Sequence, residues 1–172
     1  MVVISDKTRP VPNGVVLPPV LGALAAAGID RTRIEILVAT GLHRPNTPAE
    51  LVEMTSPEVV AQYRIRNHIA RQADEHVHLG RTTRGIEIWL DRGFVTADLK
   101  VVTGLIEPHL MAGYSGGRKG VAPGLAGVET MRSAHGPVML EDNVGPGIIT
   151  GNPFHEDLLE ITRRVHVDFL VV

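Results

Sequence analysis

Apolar residues gather along this chain in short runs with little polar alternation, at residues 2–4, 34–39, 99–105 and 167–172. A strand that shows water only one face alternates between apolar and polar, so near-continuous runs point to parallel strands covered on both sides. Between them lie stretches with helical spacing. Residues 15–27 are apolar and alanine-rich, residues 47–54 follow Asn46 or Thr47 as N-cap, and residues 57–66 follow Ser56 with Pro57 in the first position. The segment 153–164 has the fullest set of signals. Asn152-Pro153 opens it, acidic residues fill its early turns, and Arg163 and Arg164 complement the dipole at its end.

Strands alternating with helices predict an α/β fold, a mostly parallel sheet flanked by helices in a Rossmann-like layered domain over 1–172. In such sheets ligands sit beyond the carboxyl ends of the strands. Thr40-Gly41-Leu42-His43-Arg44 and Glu107-Pro108-His109 each follow a predicted strand directly, so His43 and His109 are expected on one rim.

Composition narrows the chemistry. Aromatic residues make up 3% of the chain, which leaves Val, Leu, Ile and Ala to build the core. The net charge of −2, with both signs mixed along the chain, gives no footprint for nucleic acid or an anionic membrane, and a small ligand is the expected partner. The most apolar run, 14–29, falls short of the roughly 20 residues that a membrane span needs, and it contains Pro18 and Pro19. The first residues lack a basic segment followed by an apolar one, so a cytoplasmic location is expected. With no cysteine, a metal would need histidine, carboxylate or donors supplied by a cofactor.

The loop 112–119 carries Gly113, Ser115, Gly116 and Gly117 and ends in Arg118-Lys119. Its backbone N–H groups could approach an anion that the cations neutralise, or it could be a plain flexible turn. Its spacing is not that of a P-loop, and it lacks the dinucleotide fingerprint. Lys119 reads either as a surface cation or as an amine placed for covalent cofactor attachment. Of the eight histidines, His68, His76, His78, His155 and His166 lie in charged or amphipathic segments where exposed or hydrogen-bonded imidazoles are ordinary. His43, His109 and His135 lie in loop contexts that suit acid–base chemistry or metal ligation. In the turn after residues 2–4, Arg9 could fork onto a carboxylate or phosphate, with Asp6 orienting it or a nearby imidazole.

Taken together, Asp6-Lys7-Thr8-Arg9-Pro10, Ala39-Thr40-Gly41-Leu42-His43-Arg44-Pro45, Leu79-Gly80-Arg81-Thr82, Pro108-His109 through Lys119, Pro123-Gly124 and His135 resemble the N-terminal domain of the lactate racemase family. The resemblance covers nearly the whole chain. It implies a racemase or epimerase of a small 2-hydroxy acid, working by reversible hydride transfer to a nickel-pincer nucleotide made by dedicated cofactor-synthesis enzymes. On this resemblance Lys119 holds the nucleotide covalently, His135 ligates nickel, and Gly113, Ser115, Gly116 and Gly117 lie against the cofactor. His43 and His109 form a catalytic acid–base pair, one for each face of the reacting carbon, and Arg9 with Asp6 serves the substrate.

Members of that family are longer, so the chain is expected to be a cofactor-bearing piece that lacks a short N-terminal segment and a C-terminal domain, and to be weak or inactive alone. Two other readings remain: a non-catalytic nucleotide- or metal-binding module, and a nicotinamide-dependent enzyme. The absent Gly-x-Gly-x-x-Gly turn counts against the second.

Overall fold

The structure is a computed structural model that describes residues 1–134 and 143–172. In chain order it runs β1 (Val2–Ser5), α1 (Asn13–Ala26), β2 (Glu35–Ala39), α2 (Pro48–Met54), α3 (Pro57–Gln62), β3 (Arg64–Asn67), β4 (His76–Arg81), β5 (Glu87–Asp91), α4 (Arg92–Thr96), β6 (Val101–Thr103), β7 (Pro108–His109), β8 (Gly113–Tyr114), α5 (Arg118–Val121), α6 (Val128–Ala134), α7 (Pro153–Thr162) and β9 (Phe169–Val171). Five of the strands form one sheet in the order β3-β2-β1-β6-β9, and every pairing in it is parallel. The strands β4 and β5 make an antiparallel hairpin, as do the two-residue strands β7 and β8.

The near-continuous apolar runs have the predicted consequence: neighbouring residues of one strand feed two different cores. Val3, Leu37 and Val102 face a cluster with Ile88, Leu90, Phe94, Leu125, Phe154 and Leu158. Val2, Ile4, Ile36 and Val38 face Leu17, Leu21 and Leu24 of α1 and Val59 of α3. The spacing of Leu17, Leu21 and Leu24 presents one stripe of α1 to the sheet. Pro18 and Pro19, inside that helix, lie on its exposed side, where water can meet the carbonyls they leave unpaired.

Several expectations need correction. The helix expected over 57–66 stops at Gln62, and Arg64–Asn67 pairs with β2 as an edge strand. Arg64-Ile65-Arg66 has the two-residue alternation of a half-covered strand, and the ladder to β2 outweighs helical propensity. Within the run 99–105 the strand spans only Val101–Thr103; Gly104 N–H still donates to Val171 O, and Gly104 and Leu105 then line a cleft. The last strand is not buried: Phe169 and Leu170 of the edge strand β9 are more than half exposed. The β4–β5 hairpin was not anticipated. Its inner residues Ile88 and Leu90 cover the sheet where a parallel α/β domain would ordinarily place a helix.

A buried ionic group ties this hairpin down. Arg66 forks onto Asp91 at 2.7 and 2.9 Å, and Asp91 also caps α4 through Phe94 N–H. Burial pushes the Asp91 carboxyl up, but Arg66 and His68 prevail and hold it well below the usual range. His68 and His76 are hydrogen-bonded as expected, but both are buried, with ring nitrogens on the carbonyls of Ala126 and Gln72.

Thr47, not Asn46, caps α2, in a reciprocal pair with Glu50, and Ser56 caps α3. Asn152 caps α7 and does more. Fully buried, it accepts from His155 N–H and donates from Nδ2 to Met111 O at 2.8 Å and Ile148 O at 2.9 Å, which fixes the helix start against the turn between β7 and β8. Asn152→Ala removes all three bonds and leaves buried carbonyls unmet, so it should cost roughly 2–4 kcal/mol in urea unfolding at an unchanged m-value.

Candidate active site

Strand order decides where a ligand can sit. The chain leaves β1 towards β2 and β3 on one side, while β6 and β9 lie on the other, so the connections diverge above the carboxyl ends of β1 and β6. A cleft of about 290 Å³ opens at that point. Asp6 and Arg9 enter it from the end of β1, His43 from the end of β2, and Leu105 and His109 from the chain after β6. Ser115, Gly116 and Lys119 close the far wall. His43 and His109 therefore share one rim, as their strand-end positions predicted.

The Ser115 hydroxyl ties the loop 112–119 to the chain that follows β6. Ser115 Oγ donates to Leu105 O at 2.6 Å and accepts from Glu107 N–H at 3.0 Å, pinning the loop beneath β6. Gly116 has φ +70° and packs against Gly104, where a side chain would meet Leu105 O and Ile106. Gly113 and Gly117 do not line the cleft. Gly113 has φ +73° and faces the other way: a side chain there would collide with Ile148 O, and its own carbonyl accepts from Gly147 N–H. Of the four loop residues assigned to a cofactor, the structure brings Ser115 and Gly116 to the cleft wall. His135, the expected nickel ligand, lies outside the described residues.

Arg9, Lys119 and Asp6 line this cleft, and Arg118 and Glu107 act on the Lys119 amine from beside it. Arg9 reaches Glu107 at 3.4 Å, and Arg118 is held by Ala112 O and Tyr114 O. Burial pushes the Lys119 amine down to about 8, helped by Arg9 and Arg118 and opposed by Glu107. Lys119 Nζ has no hydrogen-bond or ion-pair partner among the described residues. An amine whose pKa is lowered toward neutrality has a larger unprotonated, nucleophilic fraction than an ordinary lysine. The structure places Lys119 half-buried in the cleft wall.

The two histidines differ in how they are held. His43 Nδ1 lies 2.6 Å from Asp6 Oδ2, while Asp6 Oδ1 accepts from the backbone N–H and the hydroxyl of Thr8. The carboxylate can only accept, so His43 Nδ1 carries a proton and its Nε2 is the free nitrogen. Asp6 is 4% exposed whereas the His43 side chain is 54% exposed, a buried carboxylate orienting an accessible base. His109 is held the opposite way. Its Nδ1 accepts from Met111 N–H at 3.2 Å and Ala112 N–H at 3.1 Å. Burial, followed by the charges of Lys119, Arg9 and Arg118, pushes its pKa down to about 4, so it is neutral at pH 7.

Some cleft residues escaped sequence reasoning. Thr8 was part of a recognised motif, and its two-residue offset from Asp6 is the spacing of an Asx turn, a signal that could have singled it out. Met131 and Phe154 reach the cleft from α6 and α7. Nothing in their local sequence separates them from ordinary core residues.

Among the described residues no group of three or more potential ligands converges on a metal position, and no helix is long and apolar enough to cross a membrane. The sequence profile of the lactate racemase N-terminal domain matches residues 1–147. Curated lactate racemases from Lactiplantibacillus plantarum and Thermoanaerobacterium thermosaccharolyticum are 34% and 30% identical over 99% of this chain. The chain spans 40% of the length of each. The structure of the lactate racemase apoprotein from T. thermosaccharolyticum superimposes with a TM-score of 0.91, covering 96% of this chain and 40% of that one. A Thermotoga maritima protein of 22% identity shares the fold, with a TM-score of 0.76.

Proposed function

Since the chain belongs to the lactate racemase N-terminal domain family, we propose that it forms the cofactor-bearing part of a racemase or epimerase for a small 2-hydroxy acid such as lactate. The observation that carries this reading is the convergence of the Asp6–His43 pair, His109, Arg9 and Lys119 on one cleft at the sheet's switch point. A positively charged cleft with a base at its mouth suits a small carboxylate bearing a hydroxyl. Arg9 would pair with the carboxylate, and His43 Nε2 would accept the hydroxyl proton while Asp6 stabilises the resulting imidazolium.

The described residues fit a covalently held nickel-pincer nucleotide through the half-buried Lys119 amine, which lines the cleft without a hydrogen-bond or ion-pair partner among the described residues and offers a point of attachment. In this reading Lys119 anchors the nucleotide and His135 completes the nickel coordination. When bound, the group supplies the hydride acceptor that oxidises the carbinol carbon to a ketone. The cleft walls Leu105, Met111 and Phe154 would shield the bound substrate from water.

The test uses the complete protein co-expressed with the enzymes that assemble the cofactor. It should interconvert D- and L-lactate and carry a mass adduct, with both properties lost in Lys119→Ala. With [2-²H]lactate the label should remain on carbon in both enantiomers; its release to solvent would replace hydride transfer with carbon-acid chemistry. A loaded protein whose adduct survives Lys119→Ala would remove the lysine from its role. Ligand binding without inversion of any 2-hydroxy acid would favour a non-catalytic binding module.

A further inference from the structure

We propose that Lys119 of the cofactor-free protein is a reversible covalent site for small 2-oxo acids: its amine forms an imine with the ketone carbon while Arg9 holds the neighbouring carboxylate. The inference goes beyond the racemase reading and stands without it, because it needs only the amine and the guanidinium that share the cleft.

The chain has three lysines, and two of them are engaged. Lys7 Nζ is paired with Glu50 at 2.7 Å, and Lys100 Nζ donates to Ala97 O at 2.6 Å. Each would have to give up a partner to react. Lys119 Nζ gives up none among the described residues. Its backbone is held at both ends, the N–H donating to Gly116 O at 3.0 Å and the carbonyl accepting from Gly124 N–H at 3.1 Å. Both glycines line the cleft, so the amine is presented to it from a fixed root. Burial, followed by the charges of Arg9 and Arg118, lowers the pKa to about 8, which leaves more of the amine unprotonated at pH 7 than in an ordinary lysine.

Arg9 supplies the second half of the recognition. It lines the cleft with Lys119, and its charge reaches the amine. Its ion pair with Glu107 is long, at 3.4 Å, and the two side chains are 38% and 34% exposed. An incoming carboxylate can therefore take the guanidinium fork without breaking a tight buried pair. An amine and a guanidinium in one cleft select a carbonyl carbon that bears a carboxylate. A neutral ketone meets only the first, and a simple carboxylate only the second. Leu105, Met111 and Phe154 line the same cleft and suit a short alkyl group.

The step balances within the two reactants. The Nζ lone pair adds to the ketone carbon and the carbonyl π pair passes to oxygen, giving a carbinolamine. The carbon–oxygen bond then breaks, oxygen leaves as water, and the nitrogen lone pair completes the C=N bond. In going from ammonium to iminium the nitrogen sheds two protons, the two that water carries away. Hydrolysis reverses the step, and no oxidant or reductant takes part. An amine held in this way forms no other covalent bond, so a 2-oxo acid would occupy the point proposed above for cofactor attachment.

Trapping decides this. The complete protein, expressed without the cofactor-assembling enzymes, is incubated at pH 7 with pyruvate and sodium cyanoborohydride, which reduces the C=N bond and leaves a carboxyethyl group on nitrogen. Intact mass should gain one such group ahead of any other, and peptide mapping should place it on Lys119. No adduct, or an adduct that persists in Lys119→Met, would overturn the proposal. Acetone, which lacks the carboxylate, separates the two contacts. Arg9→Gln should lower the ratio of pyruvate to acetone trapping at Lys119 by about tenfold or more. An unchanged ratio would show that Arg9 does not hold the carboxylate and would overturn the assignment to 2-oxo acids. Neither measurement needs cofactor or turnover, so failure of the racemase reading, seen as no inversion of lactate by the loaded protein, is a separate result.

Discussion

Asp6→Asn should lower kcat by about 10²–10⁴ while leaving the melting curve close to that of the unsubstituted protein. The reason is the way Thr8 divides the Asp6 carboxylate. Two donors from Thr8 converge on Oδ1, and Oδ2 is left for His43. An asparagine keeps its carbonyl oxygen where those donors are and turns its NH₂ group to His43. The ring nitrogen facing an NH₂ group must accept, so Nδ1 gives up its proton and Nε2 takes it. The base then presents a donor to the cleft and cannot take the hydroxyl proton. Steady-state kinetics checks the rate. Imidazole ¹⁵N shifts should show the His43 proton moving from Nδ1 to Nε2, a change that loss of packing alone would not produce.

Lys119→Met should make the protein more stable and wholly inactive. The ammonium form of Lys119 is disfavoured in the fold, with its pKa down at about 8 from 10.5, chiefly through burial. A base whose folded pKa lies below its unfolded value binds its proton more weakly when folded, so at pH 7 its charge opposes folding. A methionine fills comparable space without that charge and should raise stability by roughly 1–3 kcal/mol at pH 7. The sign of the pH dependence follows. The penalty is full below pH 8 and fades as pH rises through 8 to 10.5, so the advantage of the methionine variant should shrink over that interval. Urea melts of both proteins at pH 7 and pH 10 measure it, and an unchanged gap would show that burial of the charge is not its source.

Much of this site could be read from the linear order of residues. His43, His109, Asp6 and Arg9 follow apolar runs at offsets that place them past strand ends, and strand ends are where parallel sheets bind ligands. The pairing of Asp6 with His43 was within reach, since an imidazole was one of the two partners weighed for Asp6. The glycines of 112–119 were a different matter. As amino-acid types Gly113, Gly116 and Gly117 are equivalent, and only the folded chain sends Gly116 to the cleft wall and Gly113 to the back of Ile148.

The β4–β5 hairpin was missed because Gly80, Arg81, Thr82 and Arg84 interrupt its apolar positions, and its stability comes from Asp91, Arg66 and the underlying core more than from local pattern. The overrun of α3 into β3 has the same origin: six helical residues and four strand residues in succession are too short for either period to declare itself.

The sequence by itself determined the alternation of buried strands and helices, the caps at Ser56 and Asn152, and which residue types stand beyond the ends of β1, β2 and β6. Those features depend on contacts among near neighbours along the chain. Strand order, the partial burial of Lys119 and the unlike settings of His43 and His109 were decided only by the tertiary structure. A lysine loses its water, and an imidazole nitrogen loses its lone pair to two amides, through groups that fold up against them, and neither event leaves a trace in the spacing of the residues concerned.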